Sequence, residues 1–287
     1  MRITNRFLRL AGAVSGLVGL GPMLGCIGDS DSTNAGGAGG AGANGGAAGG
    51  GAGGSSTTVS NAVCAKPKAV DHSKPAIADF DSYDGSPLSS WKFALGGDSS
   101  TSILAGTFGY GDRPDGTAET FDMVTGHTST YALEIADTNS QKYGGGMGLW
   151  ISECLDATKF VGISFWVKGN APTGQAKFSV NMRETQPITP SKAEYKTGTC
   201  TGTDTGDKPT CVHPYFTFTV TDTWQQVQAP WGDFTPGNAD GTEVPVDGHN
   251  IWQLQFDVGL NWVQDADSVF VPVPAPYDLI VDTMTFL

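Results

Sequence analysis

Apolar and polar residues alternate in short runs from about residue 76 to the C-terminus. In GISFWVKG, Ile163, Phe165 and Val167 fall on one side and Ser164, Trp166 and Lys168 on the other. This period of two is the signature of a strand with one buried and one partly open face. The pattern recurs in Tyr131, Leu133 and Ile135, and in Phe178, Val180 and Met182 set against Ser179, Asn181 and Arg183. It recurs again in Phe216, Phe218 and Val220, and in Trp252, Leu254, Phe256 and Val258. Shorter strands are predicted over Ile77 to Phe80, within SSWKFALGG and in the closing PYDLIVDTMTF. MGLWI precedes GISFWVKG across a polar segment carrying Cys154 and Asp156, and this pair is expected to form the middle of an antiparallel sandwich. The triple glycine before it lets the backbone turn tightly or a neighbour approach closely. Residues 100–126 read as polar and turn-rich, with Phe108 and Tyr110 inside them. Short strands between turn signals, with no convincing amphipathic helix, predict an all-β fold: an antiparallel β-sandwich or jelly roll spanning residues 62–287.

The N-terminus follows different rules. MRITNRFLR is basic, and the apolar LAGAVSGLVGLGPML after it is too short and glycine-rich for a spanning helix. The run ends in Met23-Leu24-Gly25-Cys26. It resembles a bacterial lipobox, with Met23 where the pattern usually has Leu. That resemblance implies a signal peptide over residues 1–25, lipidation of Cys26 and, since Ile27 rather than Asp follows, anchoring to the outer membrane or cell surface. Residues 26–61 hold a Gly/Ala-rich stretch with no periodicity and no large side chain. Such a segment cannot offset its ordering entropy by burial and is expected to be a disordered tether with a reach of roughly 30 Å.

Charge and cysteines narrow the class. The formal net charge is -13, and cleavage before Cys26 would remove Arg2, Arg6 and Arg9, lowering it by three. A chain this acidic, without Lys/Arg clusters, is not a nucleic-acid binder; acidity suits a soluble exported surface. Besides Cys26 there are Cys64, Cys154, Cys200 and Cys211, an even set that suggests two disulfides with three possible pairings. Cys200 and Cys211 enclose TGTDTGDKPT, which reads as a hairpin tip, so Cys200–Cys211 is the expected bond and Cys64–Cys154 the remaining one. The absence of CxxC and the scatter of the four histidines argue against zinc.

The succession DFDSYDG, YGGGMGLW, GISFWVKGN, TDTWQQVQAPWGDF, IWQLQFDVG and YDLIVDTMTF is similar to family 11 carbohydrate-binding modules and to the complex-I-intermediate-associated-protein domain. Both are galactose-binding-like jelly rolls. The resemblance spans residues 76–287. It implies non-catalytic binding of a β-glucan-like polysaccharide or cell-surface glycan on the concave face of one sheet. Sugar rings need aromatic planes and fixed hydrogen-bonding groups. Tyr143, Trp166 and Tyr215 are the candidate planes, and Asn181, Arg183, Gln255 and Asp257 the candidate polar groups. The resemblance also implies a structural calcium between the first and last strands, with Asp79, Asp81 and Asp84 in the first turn and Asp282 in the last strand as oxygen donors. The family usually closes on a pair of acids, whereas Val281-Asp282-Thr283 offers one.

Two other classes stand beside this one. Glu134 with Asp137 and Glu153 with Asp156 are carboxylate pairs, but neither sits in a glycosidase-like motif, and GxSxG, HExxH and phosphate loops are absent, so an enzyme is not expected. The nearer alternative is a structural or adhesive envelope lipoprotein using the same fold for protein or matrix contact.

Overall fold

The computed structural model describes residues 64, 66–97, 103–112, 116–188, 198–202, 209–266 and 268–287. The expected signal peptide, lipidation residue Cys26 and tether lie outside the described residues. In chain order the strands are β1 Lys68–Ala69, β2 Ala76–Ala78, β3 Lys92–Ala94, β4 Leu104–Gly111, β5 Thr120–Thr125, β6 Tyr131–Ser140, β7 Gly145–Asp156, β8 Gly162–Asn170 and β9 Gln175–Met182. They continue with β10 Cys211–Val212, β11 Tyr215–Thr219, β12 Gln225–Pro230, β13 Gly237–Ala239, β14 Thr242–Val244, β15 Ile251–Val258, β16 Trp262–Gln264, β17 Phe270–Pro272 and β18 Ala275–Phe286.

Two sheets form the sandwich. The first runs β11-β9-β15-β7-β4-β3, with β1 added parallel to the end of β7. The second runs β12-β8-β18-β6-β5, with β2 added to β18. Between them the inward halves of the alternating strands meet. Phe165 of β8 packs against Phe178 of β9, Phe218 of β11 and Phe256 of β15, with ring centroids 5.1, 5.3 and 4.9 Å away. Leu254, Leu279, Ile135, Leu149 and Met147 extend this core, all fully buried.

MGLWI and GISFWVKG do not pair with one another. β7 lies between β4 and β15 in the first sheet, and β8 between β12 and β18 in the second. The polar segment between them is a crossing from layer to layer. The same holds for β11 and β12, which flank Thr221 yet belong to different sheets. The turn-rich reading of residues 100–126 is also corrected: β4 and β5 lie there. Both expected disulfides are formed, Cys64–Cys154 and Cys200–Cys211. Residues 203–208 of the expected tip between Cys200 and Cys211 lie outside the described residues. Cys211 lies in β10, which pairs with β13 in a small sheet with β14, whereas Cys200 bridges to Pro187. Strands β16 and β17 pair only with each other.

Candidate functional site

The face of the first sheet that turns away from the core collects most of the expected polar residues. Register fixes three rows across the strands. One holds Tyr215, Ser179, Gln255, Gly148 and Phe108. A second holds Thr217, Lys177, Asp257, Gly146 and Tyr110. A third holds Asn181, Gln253, Trp150, Gly106 and Lys92. Alternation explains the side: Leu254, Phe256 and Val258 point inward from β15, so Gln253, Gln255 and Asp257 point outward.

Glycines make room on this face. A Cβ at Gly148 would meet the Phe108 ring at 2.8 Å, and Cβ atoms at Gly146 and Gly106 would run into Tyr110 and Trp150. The three aromatic side chains therefore lie across a glycine floor supplied by β7 and β4. On the opposite flank, Lys177 Nζ sits 4.6 Å from the centre of the Tyr215 ring.

The centre is a hydrogen-bonded chain. Gln253 Nε2 donates to Gln255 Oε1 at 3.0 Å; Gln255 Nε2 donates to Tyr110 Oη at 2.9 Å and to Asp257 Oδ1 at 2.8 Å. The Tyr110 hydroxyl donates to Asp257 Oδ1, and Ser179 Oγ donates to Oδ2 at 3.4 Å. Burial pushes the Asp257 carboxyl above its ordinary value, opposed by the donors Tyr110 and Gln255 and by the Lys177 charge. Burial, reinforced by the Asp257 charge, holds the Tyr110 phenol well above 10. The two groups thus stay locked as phenol and hydrogen-bonded acid, a fixed array suited to hydroxyl recognition.

At one end of the face the chain turns through Arg183–Thr185, so Arg183 leaves the strand on which alternation placed it beside Asn181. Asn181 is 2% exposed, and its Oδ1 has no partner among the described residues; Arg183 Nε is likewise buried and unpaired. Tyr143 lies at the other end, in a loop organised by Asp112, whose Oδ2 accepts Ser140 Oγ at 2.7 Å and the Gln141 and Lys142 N–H groups at 2.7 and 2.5 Å. Gly144 of that loop has φ +100° and its Cβ position is filled by the Val258 carbonyl, which is why glycine stands there.

Trp166 belongs elsewhere. Its alternation is as expected, but β8 lies in the second sheet, so the indole sits on the outer face of the opposite layer. His127 packs on it with ring centroids 4.3 Å apart. It does not join the other candidate planes.

The expected calcium donors do not fit a cation. Asp282 is fully buried; its Oδ2 accepts His127 N at 2.7 Å and Thr128 N at 3.0 Å, and its Oδ1 accepts the hydroxyls of Ser129 and Thr283. Four donors fill the lone pairs a metal would need. Burial alone would raise this carboxyl; the bonds from Ser129, Thr128 and His127 outweigh it and hold it below its usual value. Asp81 accepts Thr130 N at 2.6 Å, Asp79 accepts Asp81 N at 3.1 Å, and Asp84 accepts Ser86 N at 3.0 Å. Asp81 and Asp282 pin the 127–130 loop, while Asp79 and Asp84 shape their own turns.

Sequence reading missed Phe108, Tyr110, Trp150, Lys177, Ser179 and Gln253. The available signal was GTFGYG, in which aromatics alternate with glycine, as a strand face with rings lying on bare backbone requires.

No protein-family profile matches the chain, and no curated relative matches it. Among solved structures, the fold is similar to a family 11 carbohydrate-binding module from Clostridium thermocellum in complex with a β-1,3-1,4-mixed-linked tetrasaccharide, at 15% identity, TM-score 0.39, covering 74% of this chain and 94% of that one. It is similar also to the family 11 module of the cellulosomal cellulase Lic26A-Cel5E of the same organism, at 18% identity, TM-score 0.37, covering 64% and 86%. A family 30 carbohydrate-binding module is similar at 14% identity, TM-score 0.38, covering 62% and 80%.

Proposed function

We propose that this chain binds a neutral polysaccharide, without catalysis, on the outer face of its first sheet. The observation that supports this most is the chain Gln253–Gln255–Tyr110–Asp257 lying between the Phe108, Tyr110 and Trp150 rings on one flank and Tyr215 on the other. Rings offer planes to the C–H faces of sugars, and pre-bonded side chains offer fixed partners to hydroxyls. The face mixes Lys92 and Lys177 with Asp257, so it favours no strongly charged ligand. Asp257 has its oxygens tied to Tyr110, Gln255 and Ser179, which suits positioning rather than proton transfer. A β-glucan is the first candidate. Cys26 is read as the lipid attachment and residues 26–61 as the leash holding the domain at the cell surface; partition of the mature protein into detergent tests that part.

Retention of the full chain on cellulose, mixed-linkage β-glucan, xylan and peptidoglycan tests the reading, with competition by the soluble oligosaccharide. Tyr215→Ala, which removes one flank, is expected to weaken retention about tenfold, near 1.4 kcal/mol. Folded protein retained by none of these glycans would overturn it. The adhesive alternative draws on a different feature, the β16–β17 ribbon, where Trp262, Val263 and Phe270 are 46, 49 and 65% exposed.

A further inference from the structure

The outer face is a groove that closes toward one end. Its polar floor follows β9 and β15, and its flanks are Tyr215 on β11 and the aromatic row on β4 and β7. Along β9 the outward residues pass from exposed Gln175 through half-buried Lys177 to Ser179 at 9% and Asn181 at 2%. Along β11 they pass from exposed Thr219 and Thr217 through half-buried Tyr215 to His213 at 9%. The register of these strands continues past Tyr215, since Val180 N donates to the Pro214 carbonyl at 3.1 Å. His213 therefore falls level with Asn181 at the closed end.

What closes it is a stitched wall. The turn Arg183–Thr185 bends back so that Gln186 N reaches Met182 O at 3.1 Å. Thr199 N bonds Arg183 O at 3.0 Å and Cys200 N bonds Gln186 O at 3.1 Å. The Cys200–Cys211 disulfide ties this layer to β10.

Among the described residues four buried polar atoms at this wall stand without partners: Arg183 Nε and Glu184 Oε2 in the turn itself, and Asn181 Oδ1 and His213 Nε2 on the strands that run into it. Thr185 Oγ1 holds His213 Nδ1 at 2.7 Å and thereby fixes the ring. Burial pushes the imidazole down to about 4, so it is neutral at ordinary pH. A buried acceptor left unpaired costs about 1–3 kcal/mol, so a strand face that keeps Asn181 Oδ1 and His213 Nε2 unpaired at its closed end is built for a group that arrives from outside. A hydroxyl both donates and accepts, so sugar hydroxyls have the chemistry to satisfy Asn181 Oδ1 and either tautomer of His213. From Lys177 to Asn181 the floor spans about 13 Å.

Resting on the proposed saccharide reading, we infer that the groove takes the terminus of a glycan chain, with the hydroxyls of the last ring on Asn181 and His213, and not an internal stretch. An internal stretch must leave at both ends, and the wall blocks one.

Titration calorimetry of the full chain with mixed-linkage β-glucan, and with the tetrasaccharide cut from it, reads the difference as stoichiometry. Terminus binding gives one protein per polymer chain and the same affinity per mole of chain for polymer and tetrasaccharide. Asn181→Leu is the matched variant: it replaces an unpaired polar group by an apolar one of similar size, so it keeps or raises the Tm while weakening binding at least 30-fold. Several proteins per polymer chain, with Asn181→Leu binding as tightly as the parent, would overturn the inference and leave the saccharide reading standing. Absence of binding here and across the glycan panel would overturn the saccharide reading and this inference with it.

Discussion

Tyr110→Phe isolates one hydroxyl and nothing else. The ring keeps its place over Gly146, so packing on the face is unchanged, but Asp257 Oδ1 loses the donor from Tyr110, and Gln255 Nε2 loses its bond to Tyr110 Oη while keeping the one to Asp257 Oδ1 at 2.8 Å. Oδ2 keeps only the long bond from Ser179 at 3.4 Å. Hydrogen bonds to charged groups contribute about 1.5–3 kcal/mol, against about 0.5–1.5 for neutral pairs. With the carboxylate ionised, the variant is therefore expected to lose about 2 kcal/mol, a fall in Tm of about 4–8 °C for a domain of this size. The loss has a pH signature. Burial raises the folded-state value of Asp257 above the unfolded one, so the folded protein holds this proton more tightly and Asp257 lowers stability as pH rises through that window. Removing the Tyr110 donor raises the folded value further and widens the window. The penalty should stand at the neutral-bond figure below the unfolded value near 4 and grow as pH rises and the folded carboxyl ionises. Urea unfolding of the full chain at pH 7 and pH 3.5 measures both. A variant within about 0.5 kcal/mol of the parent at both pH values, or a penalty that falls as pH rises, would refute the picture of an acid held by this phenol.

Other expectations follow the same logic. Phe165→Ala empties the contact between the two sheets and should cost about 3–5 kcal/mol with an unchanged urea m-value; a cost under 1 kcal/mol would mean the rings are not the centre of the core. Asp282→Asn turns an NH2 toward donors that now find an acceptor and should cost about 2–3 kcal/mol, whereas chelator should leave the Tm of the parent unchanged; a chelator-induced fall would restore the cation. Because hydrogen bonds hold the Asp282 carboxyl below its unfolded value, its contribution is present above pH 4 and is lost as pH falls through the folded value, so acid should narrow the gap between parent and Asp282→Asn. Serine at both Cys64 and Cys154 opens a bond of sequence separation 90, against 11 for Cys200–Cys211, and chain entropy sets the losses near 4–5 and 2–3 kcal/mol; thermal melts of the two double variants rank them.

The strands that local alternation could reveal were those whose outward and inward residues differ in kind. In β8, β9, β15 and β18 the apolar half is Val, Ile, Leu, Phe or Met, and the pattern is legible. In β4 glycine occupies Gly106, Gly109 and Gly111, which removes the contrast on which period-two reading depends, and with it went Phe108 and Tyr110. Pairing was less legible still. Alternation says that Trp166 points away from Ile163 and Phe165, but which sheet it lies on depends on β12 and β18, 60 and more residues away. That is why Asn181, Gln255, Asp257 and Tyr215 came together while Trp166 did not. Asp282 was visible as an acid in the last strand, but its role is set by the N–H groups of His127 and Thr128, which no local pattern connects to it.

The Cys64–Cys154 bond also decides how the domain carries load. A pull on the chain ahead of residue 64 does not reach β1, β2 or β3 first. The covalent link delivers it to Cys154, inside β7, whose neighbours β4 and β15 must then be sheared together. Strands β1 to β6 lie within the bridged loop, off the covalent path of the load, and β4 resists it only through its pairing with β7. Of the extension that unravelling would otherwise release, the chain between the two cysteines, a sequence separation of 90, withholds roughly 300 Å. Stretching the oxidised and reduced protein should differ by that length, and the oxidised domain should resist as a sheared sheet.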